Sequence, residues 1–573
     1  MICRVSLLAV LSGALAAAQD AQISGLISDP SKAGLAGADI ALRNEQTGGR
    51  RSIQSNELGF YSFSALRPGM YRLTVRAPGF ETVVREGIVL EVGQSARLDF
   101  NLQIGVSQTT VNVSSAPPPI SLEDAAVGTV IDRDLIDQLP LNGRGIQTLI
   151  ELAPGVNAIP VTDVTRGQFS INGQRTDANY LTIDGISANF AAGSSNTFNQ
   201  NSRAFFATLG QAGGGMLPAN NFLGTFSNLL APDALQEFKI QTSTYAPEFG
   251  HLPGGQIDLV SRSGSNRYSA SLFTYVRNGK TDANDWFNNA SGISKPPLHF
   301  NNFGGSYGGP VKLGHWYDGH NRTFFFLSVD QLLVSQPQPS VTTEVPSLTA
   351  RQNAPAPLAR FLALFPLPNG GPASDPGFAF YTAAGSLRYV QGSYGLRVDR
   401  SISKNVNFFA RANHAPSSRA EPIQFVGVGS PSNVEHYRID TDLLTLGVTQ
   451  VFTPNLVNEF RFGAGRQSTI DYAAIDTQTA GGEIFPPGFS ASDSYMGFGM
   501  QTKPASLMWL GLAQKNQSSQ LEITDNLFYA RRSQRWKFGA DYRAFRTAVI
   551  QPGFGGAVTL PAIYNADGTF ISA

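Results

Sequence analysis

The stretch "RWKFGADYRAFR" at 535–546 places Trp536, Phe538, Ala540, Tyr542 and Ala544 on one side of an extended chain, and Lys537, Gly539, Asp541 and Arg543 on the other. "LVNEFRFGAG" (456–465) does the same, with Leu456, Asn458, Phe460, Phe462 and Ala464 opposite Val457, Glu459, Arg461 and Gly463. "VNFFARAN" (406–413) sets Val406, Phe408, Ala410 and Ala412 against Asn407, Phe409, Arg411 and Asn413. Successive side chains of a strand point to opposite faces, so each run has one apolar face and one polar or charged face. Strands of soluble proteins alternate too, but average about 5–6 residues. Alternation held over about 9–11 residues is the pattern of a barrel strand that crosses a bilayer.

About nine such strands are expected, near 267–277, 299–309, 321–332, 391–400, 404–413, 439–452, 456–465, 518–530 and 534–546. Their connections support the reading. "SISKN" (401–405), "FTPN" (452–455) and 531–535 are short, whereas the stretches near 414–437 and 466–517 read as long polar loops. Short and long connections alternate in outer-membrane barrels because one rim faces the periplasm and the other the outside.

The rest of the chain agrees with export. "MICRVSLLAVLSGALAAAQ" has a basic residue (Arg4), an apolar run from Val5 to Leu15 and small residues Ala16, Ala17 and Ala18 before Gln19. It reads as a signal peptide over 1–18, too short to span a membrane. The one cysteine, Cys3, lies inside it and away from the position a lipoprotein anchor requires, so the mature chain has no disulfide to rely on. No later stretch holds about 18 uninterrupted apolar residues, which leaves a secreted, periplasmic or barrel protein. The 573 residues are too many for one core. Lys+Arg and Asp+Glu both number 42, a balance that argues against a general nucleic-acid binder.

Residues 19–104 read as a small β-sandwich. "MYRLTVRA" turns Tyr71, Leu73 and Val75 to one face, "ADIALRN" does so with Ile40 and Leu42, and "ARLDFNLQ" with Ala96, Leu98, Phe100 and Leu102. Turn signals such as Pro68-Gly69 and Pro78-Gly79 separate these runs. Residues 121–265 are mixed. "DRDLIDQL" is a short helix with Asp132 as its cap and Leu135, Ile136 and Leu139 on one face, "GIQTLIEL" is a second, and "QFSINGQR", "NYLTIDGI", "EFKIQTS" and "QIDLVSR" are strands. A Gly-, Asn- and Phe-rich tract from Ala188 to Leu230 interrupts them, and a loop of that length is usually functional or disordered. Between the two lies "QTTVNVSSAPPPI" (108–120), a β-prone stretch ending on Pro117, Pro118 and Pro119, which cannot extend a ladder.

No catalytic constellation is apparent. His251, His299, His315, His320, His414 and His436 are scattered, and "HWYDGH" (315–320) has no metal-ligand spacing and reads as a loop. "GGSYGGP" (304–310) lacks the Lys-Ser/Thr of a phosphate loop. Neither a metal nor a cofactor is expected.

"ISGLISDPSKAGLAGADIALRN…LGFYSFSALRPGMYRLTVRAPGF" resembles a carboxypeptidase-regulatory-like domain, also described as carbohydrate-binding-like. "DLIDQLPLNGRGIQTLIELAPGV" (134–156), "FSINGQRTDANYLTIDGI" (169–186) and "LQEFKIQTSTYAPEFGHLPGGQIDLVSRSGSN" (235–266) resemble the plug domain of TonB-dependent outer-membrane receptors, in the flavour of the Oar-like group. "SLFTYVRN", "NNFGGSYGGPV" and "RTFFFLSVDQ" look like the opening barrel strands of that group. The run usually written Thr-Lys-Ser-Gly-Thr-Asn at the plug exit is here "SRSGSN", Ser261–Asn266, which keeps the glycine turn and a basic residue.

The resemblance implies a mainly β chain: an N-terminal β-sandwich (19–104), a TonB-box strand with a proline linker (105–120), a small α+β plug domain (121–265), then the first part of a large antiparallel transmembrane β-barrel (266–573). Barrels of this family have about 22 strands, a class with a plugged lumen. Roughly 300 residues cannot supply them, so a chain lacking the C-terminal part of its barrel is expected. The resemblance further implies a non-enzymatic receptor in the outer membrane of a Gram-negative bacterium. Such a receptor, in contact with outer-membrane lipid, takes up an extracellular ligand such as a siderophore, oligosaccharide or peptide. It is driven by a TonB-type energy-transducing protein that pairs with a box-like strand, here Thr110, Val111, Asn112, Val113, Ser114 and Ser115. The alternative for that strand is the last strand of the sandwich. Arg175, Asp177 and Asp184 are candidates for a polar network holding the plug. Phe190, Phe198, Phe205, Phe206, Phe222 and Phe226 are candidates for a ligand loop, or else pack that loop onto the barrel wall. The competing function is a secreted or surface β-protein, an adhesin or glycan-binding module acting through the sandwich.

Overall fold

The structure is a computed structural model. It describes residues 20–105, 110–113, 126–139, 145–158, 169–175, 178–190, 218–219, 221, 226–245, 252–284, 286, 289, 295, 298–375, 377–422, 433–475, 485–500, 503–550, 553–560, 563–564 and 570–572. The expected signal peptide and the proline run lie outside them.

The amino-terminal region forms two facing sheets. One runs in the order Arg50–Gln54, Asp39–Asn44, Gly69–Arg76, Thr82–Leu90, Thr110–Val113; in the other, Ala21–Ser28 pairs with Phe60–Leu66, Ser95–Arg97 and Phe100–Asn101. The alternating residues meet between them as expected: Ile40, Leu42, Tyr71, Leu73, Val75, Ala96, Leu98, Phe100 and Leu102 are all buried in one cluster with Ile23 and Phe63.

The middle region is one five-stranded sheet, ordered Val127–Ile131, Leu235–Ser243, Gln256–Ser261, Tyr180–Ile183, Ile186–Ser187. Its core joins Ile131, Leu181, Phe238, Ile240, Ile257 and Leu259 to the two short helices Arg133–Gln138 and Gln147–Ile150. Asp132 caps the first helix by accepting from the Leu135 amide at 2.9 Å. One detail differs from the periodicity: Ile136 is buried but Leu135 is exposed, because adjacent residues of a helix point about 100° apart and the face that buries Ile136 turns Leu135 outward.

From Ser269 onward the chain builds an eleven-stranded sheet. All nine expected strands are present, with Tyr495–Met500 and Gly555–Leu560 added. Several are far longer than the sequence suggests: Leu456–Ile475 has 20 residues and Lys503–Arg531 has 29. Much of what read as long polar loops is therefore strand. These ends stand beyond the apolar zone, where nothing selects hydrophobic side chains, so alternation fades while the ladder continues. Among the described residues the two ends of the sheet do not pair with each other. No helix among them is long and apolar enough to cross a membrane.

The two faces of this sheet follow the alternation. Glu459, Arg461 and Arg411 are each at most 4% exposed and lie on the inward face, where Arg461 and Arg411 reach the middle region. The other face is apolar and open: cross-strand register links Leu327, Leu396, Ala412, Leu444, Ala464, Leu521 and Ala544 into one row. The next row in the same direction along these strands, Phe325, Val398, Ala410, Leu446, Phe462, Ile523 and Tyr542, is apolar as well. Short turns (402–405, 454–455, 532–533) gather at one end of the strands. The sandwich sits at that end, its Gln46 carbonyl accepting from the Asn266 amide and Asn56 Nδ2 donating to the Arg532 carbonyl at 3.0 Å. That places the sandwich on the side that is periplasmic in barrels of this kind.

An arginine at Ile523, in the middle of the outward apolar rows, is expected to cost about 2–4 kcal/mol of barrel stability, as for a cation near the bilayer midplane. Ile523→Val should cost under about 1.5 kcal/mol. Urea titration of the fraction showing heat-modifiable migration measures both.

Candidate functional site

The hairpin Tyr180–Ile183/Ile186–Ser187 turns on Asp184-Gly185, both with positive φ (51° and 79°). Asp-Gly is a preferred pair for a two-residue turn of this kind. The positive φ of Gly185 favours glycine, and a Cβ there would sit 1.7 Å from Arg461 Nη1 and push that guanidinium aside.

The turn aims the Asp184 carboxylate at the wall of the large sheet. Oδ1 accepts from the Ser261 amide at 3.0 Å and from Arg397 Nη1 at 3.0 Å; Oδ2 accepts from Ser261 Oγ at 2.7 Å and lies 3.7 Å from Arg411 Nε. The Asp184 carbonyl accepts from Arg461 Nη1 at 2.8 Å. Burial alone would raise the Asp184 carboxyl, but Arg397, Arg411 and the Ser261 bonds outweigh it and hold the group below its ordinary value, so it stays ionised. On the other side of the hairpin, the Ser187 amide donates to Glu522 Oε2 at 3.0 Å. Gln520 Nε2 donates to the Ser187 carbonyl at 3.0 Å and Arg543 Nη1 to Ser187 Oγ at 2.6 Å. One hairpin is thus held by side chains from five strands of the wall.

The network continues into the sandwich. Arg397 also grips Asp399 through Nε and Nη2 at 3.0 and 3.1 Å, and Asp399 pairs with Arg67 of the sandwich. Arg397 and Arg67 lie over the Phe409 ring, 4.5 and 5.3 Å from its centre. Arg461 pairs with Glu459 and, at 3.3 Å, with Asp20. Burial and the nearby Glu459 push the Asp20 carboxyl well up.

A second joint lies where the sandwich meets the middle sheet. Glu237 is buried, and among the described residues its Oε1 has no hydrogen-bond partner. Burial, then the neighbouring Glu91 carboxylate, push its carboxyl up to about 8; Asp132 adds to the shift, while the Val92 amide and Lys239 oppose it.

The sequence-based candidates fare unevenly. Asp184 is the hub of the network, but Arg175 is exposed and not its partner, and Asp177 lies outside the described residues. The partners come from the barrel wall, Arg397, Arg411 and Arg461. The inward faces of "LVNEFRFGAG" and "VNFFARAN" already contained two of them; pairing across some 200 residues had no signal in spacing. Phe190 and Phe226 belong to the plug core: both are buried, Phe226 meets Phe169 edge-on at 6.2 Å, and Phe190 fills the space against Gly465. Phe190 packs the region onto the wall, and Phe226 packs inside it. Phe198, Phe205, Phe206 and Phe222 lie outside the described residues. Thr110–Val113 is paired, in parallel, with Thr82–Arg85 of the sandwich, so here the stretch has a sheet; Ser114 and Ser115 lie outside the described residues. "HWYDGH" spans a two-stranded hairpin, and among the described residues no cluster of His, Cys, Asp and Glu could hold a metal.

Asp184→Asn removes the charge facing Arg411 and Arg397 and should destabilise plug seating by about 3–5 kcal/mol, the usual cost of orphaning a buried charge; hydrogen exchange at the Leu181 and Ile183 amides reads it. Glu237 supplies a pH test. A carboxyl raised in the folded state favours that state fully below its ordinary value near 4.5, and loses the contribution as pH rises toward about 8. Exchange at the Val92 amide should therefore quicken between about pH 5 and about pH 8 beyond the intrinsic rate, and Glu237→Gln should abolish that excess.

Comparison with known proteins agrees with this architecture. The outer membrane beta barrel domain model matches residues 260–356 and 351–570, and the carboxypeptidase regulatory-like domain model matches 22–103. The TonB-dependent transporter Oar of Myxococcus xanthus is 26% identical over 273 residues, which is 46% of this chain and 22% of that protein. The chain thus matches well under two thirds of its relative's length. Among solved structures, the outer membrane transporter YddB from Escherichia coli is 14% identical with a TM-score of 0.49, over 78% of this chain and 51% of that one. FpvA of P. aeruginosa is 10% identical with a TM-score of 0.40, over 75% and 53%. With its family model covering more than half its length, the chain belongs to the outer membrane β-barrel family and carries a carboxypeptidase regulatory-like domain at its amino-terminal end.

Proposed function

We propose that this protein is a TonB-dependent outer-membrane receptor. It takes an extracellular ligand (a siderophore, oligosaccharide or peptide) into the periplasm and does no covalent chemistry. The observation that carries this reading is the way a small folded sheet is held against the polar inner wall of a barrel. Asp184 and Ser187 are bound by ionic and polar groups rather than by apolar packing alone. A wall–plug contact of this kind can be rehydrated and re-formed, which suits a gate that must move and return. Moving it costs energy, which an external partner would deliver. The TonB-dependent transporter Oar supports the same reading by its name.

The strand 110–115 is the coupling element on this reading. It lies between sandwich and plug in the sequence, its described part, Thr110–Val113, is paired at the edge of the sandwich sheet, and main-chain pairing with a partner's sheet edge asks little of its side chains. The adhesin alternative needs a sandwich free to meet its target, whereas Arg67, Gln46 and Asn56 are engaged with the barrel.

Val111→Pro, in the full chain, removes a main-chain donor from the strand. Capture by the purified C-terminal domain of a TonB-type protein should fall by at least about tenfold, taking one strand's worth of pairing as more than 1.4 kcal/mol. Capture at the wild-type level would refute the assignment of this strand.

A further inference from the structure

The outward face of the barrel changes character one row above the apolar rows, toward the long-loop end. Register places Tyr394, His414, Asp442, Arg466, Ser519 and Arg546 side by side there. An ≈ 820 Å³ groove runs along this row and the leucine row beside it. The groove opens outward, because the inner side is filled: a Cβ on Gly465 would lie 2.8 Å from the Phe190 ring.

The charges in the row are not balanced. His414 Nδ1 and Asp442 Oδ1 pair at 2.8 Å, and Tyr394 stacks on His414. Arg466 Nη2 donates to the neutral Gln517 Oε1 at 3.1 Å, and among the described residues neither Arg466 nor Arg546 is in an ion pair. Both are exposed and flank Ser519, one strand away on either side. Their backbones are thus about 10 Å apart, two interstrand spacings. Two guanidiniums at that distance can close from both sides on one tetrahedral anion, with the Ser519 hydroxyl beneath it. Lys515, exposed and on the same face, adds a third cation further toward the loops.

A cationic pair above a leucine-lined groove, on a surface that faces lipid, fits an amphiphile with a phosphate at its head and acyl chains below. We propose that Arg466, Ser519 and Arg546 form a binding site for the phosphorylated saccharide headgroup of an outer-leaflet lipopolysaccharide, whose chains lie along Leu396, Leu444 and Leu521. The loop-side end of the belt faces the outer leaflet, where this lipid resides. The proposal rests on the barrel and its location, not on the transport reading.

The test uses the full chain in detergent, delipidated and titrated with lipopolysaccharide, with bound lipid counted by native mass spectrometry. Arg466→Gln/Arg546→Gln should weaken retention about tenfold, as for loss of charge-assisted contacts, and Arg466→Lys/Arg546→Lys should restore most of it. Arg400→Gln, an outward arginine at the short-turn end, should change nothing. Lipopolysaccharide stripped of its phosphates should bind the parent as weakly as the Gln variant binds the intact lipid, and phosphatidylglycerol should not compete. Heat-modifiable migration confirms that each variant is folded. Undiminished retention by the Gln variant, an equal loss from Arg400→Gln, or equal competition by phosphatidylglycerol would overturn the proposal.

Discussion

The ionised Asp184 carboxylate is buried where the middle sheet meets the barrel wall, and the arrangement of the rest of the molecule depends on how that charge is met. Taking a carboxylate out of water costs several kcal/mol after relaxation. The cost is offset here by two hydrogen bonds from Ser261 and by Arg397 and Arg411. Such an assembly adds little net stability compared with apolar packing of the same volume. Its effect is positional: only one seating of the plug gives the carboxylate its donors, and any other leaves charges of both signs uncompensated. The wall strands Phe378–Ser401, Val406–Pro422 and Leu456–Ile475 each contribute an arginine at this level, so the seating also fixes the register of the wall around the plug.

The same charges join three parts of the chain in series. Arg67 of the sandwich, Asp399 and Arg397 of the wall, and Asp184 of the plug form an alternating line of cation and anion, with Phe409 packed against both guanidiniums. Each inner member satisfies two neighbours, which is why removing one is felt on both sides. Asp20, Arg461 and Glu459 form a shorter line at the same end. The sandwich is therefore not an appendage on a tether; a displacement of it would leave Asp399 and Arg461 short of partners inside the mouth of the barrel.

Much of this was legible in the sequence, and what was not has a physical reason. Alternation showed which face of each barrel strand is polar, and Arg411, Glu459, Arg461 and Arg543 lie inward as their positions require. Alternation carries no information on which distant group each will meet, so Asp184 was visible as a candidate while Arg175, near in sequence, was the wrong partner. The aromatics Phe190 and Phe226 read as easily as ligand contacts as core, because composition does not distinguish a loop that covers a wall from one that faces solvent. Strand ends beyond the apolar belt were invisible for a related cause: backbone pairing continues there without demanding hydrophobic side chains, and the long strand Lys503–Arg531 looked like loop over half its length.

The strand at Thr110–Val113 is the clearest case of a local reading that the fold qualifies. Its composition marks it as β, and Pro117–Pro119 mark it as unable to continue. In the structure it occupies the edge of the five-stranded sandwich sheet, against Thr82–Arg85. Four residues in parallel pairing, a slightly weaker arrangement than antiparallel, form a contact that a competing sheet can displace, and an edge strand still has one open side. If this strand couples the receptor to its energy source, a partner has two routes to it: replacing the sandwich edge, or adding to the open side and pulling sandwich and strand together. The second route would load the line from Arg67 to Asp184 directly, because the sheet that holds the strand belongs to the same sandwich that supplies Arg67. The first would leave that line untouched and act only through the chain leading into the plug. The buried charges at the barrel mouth thus make the two routes mechanically different, although both begin at the same four residues.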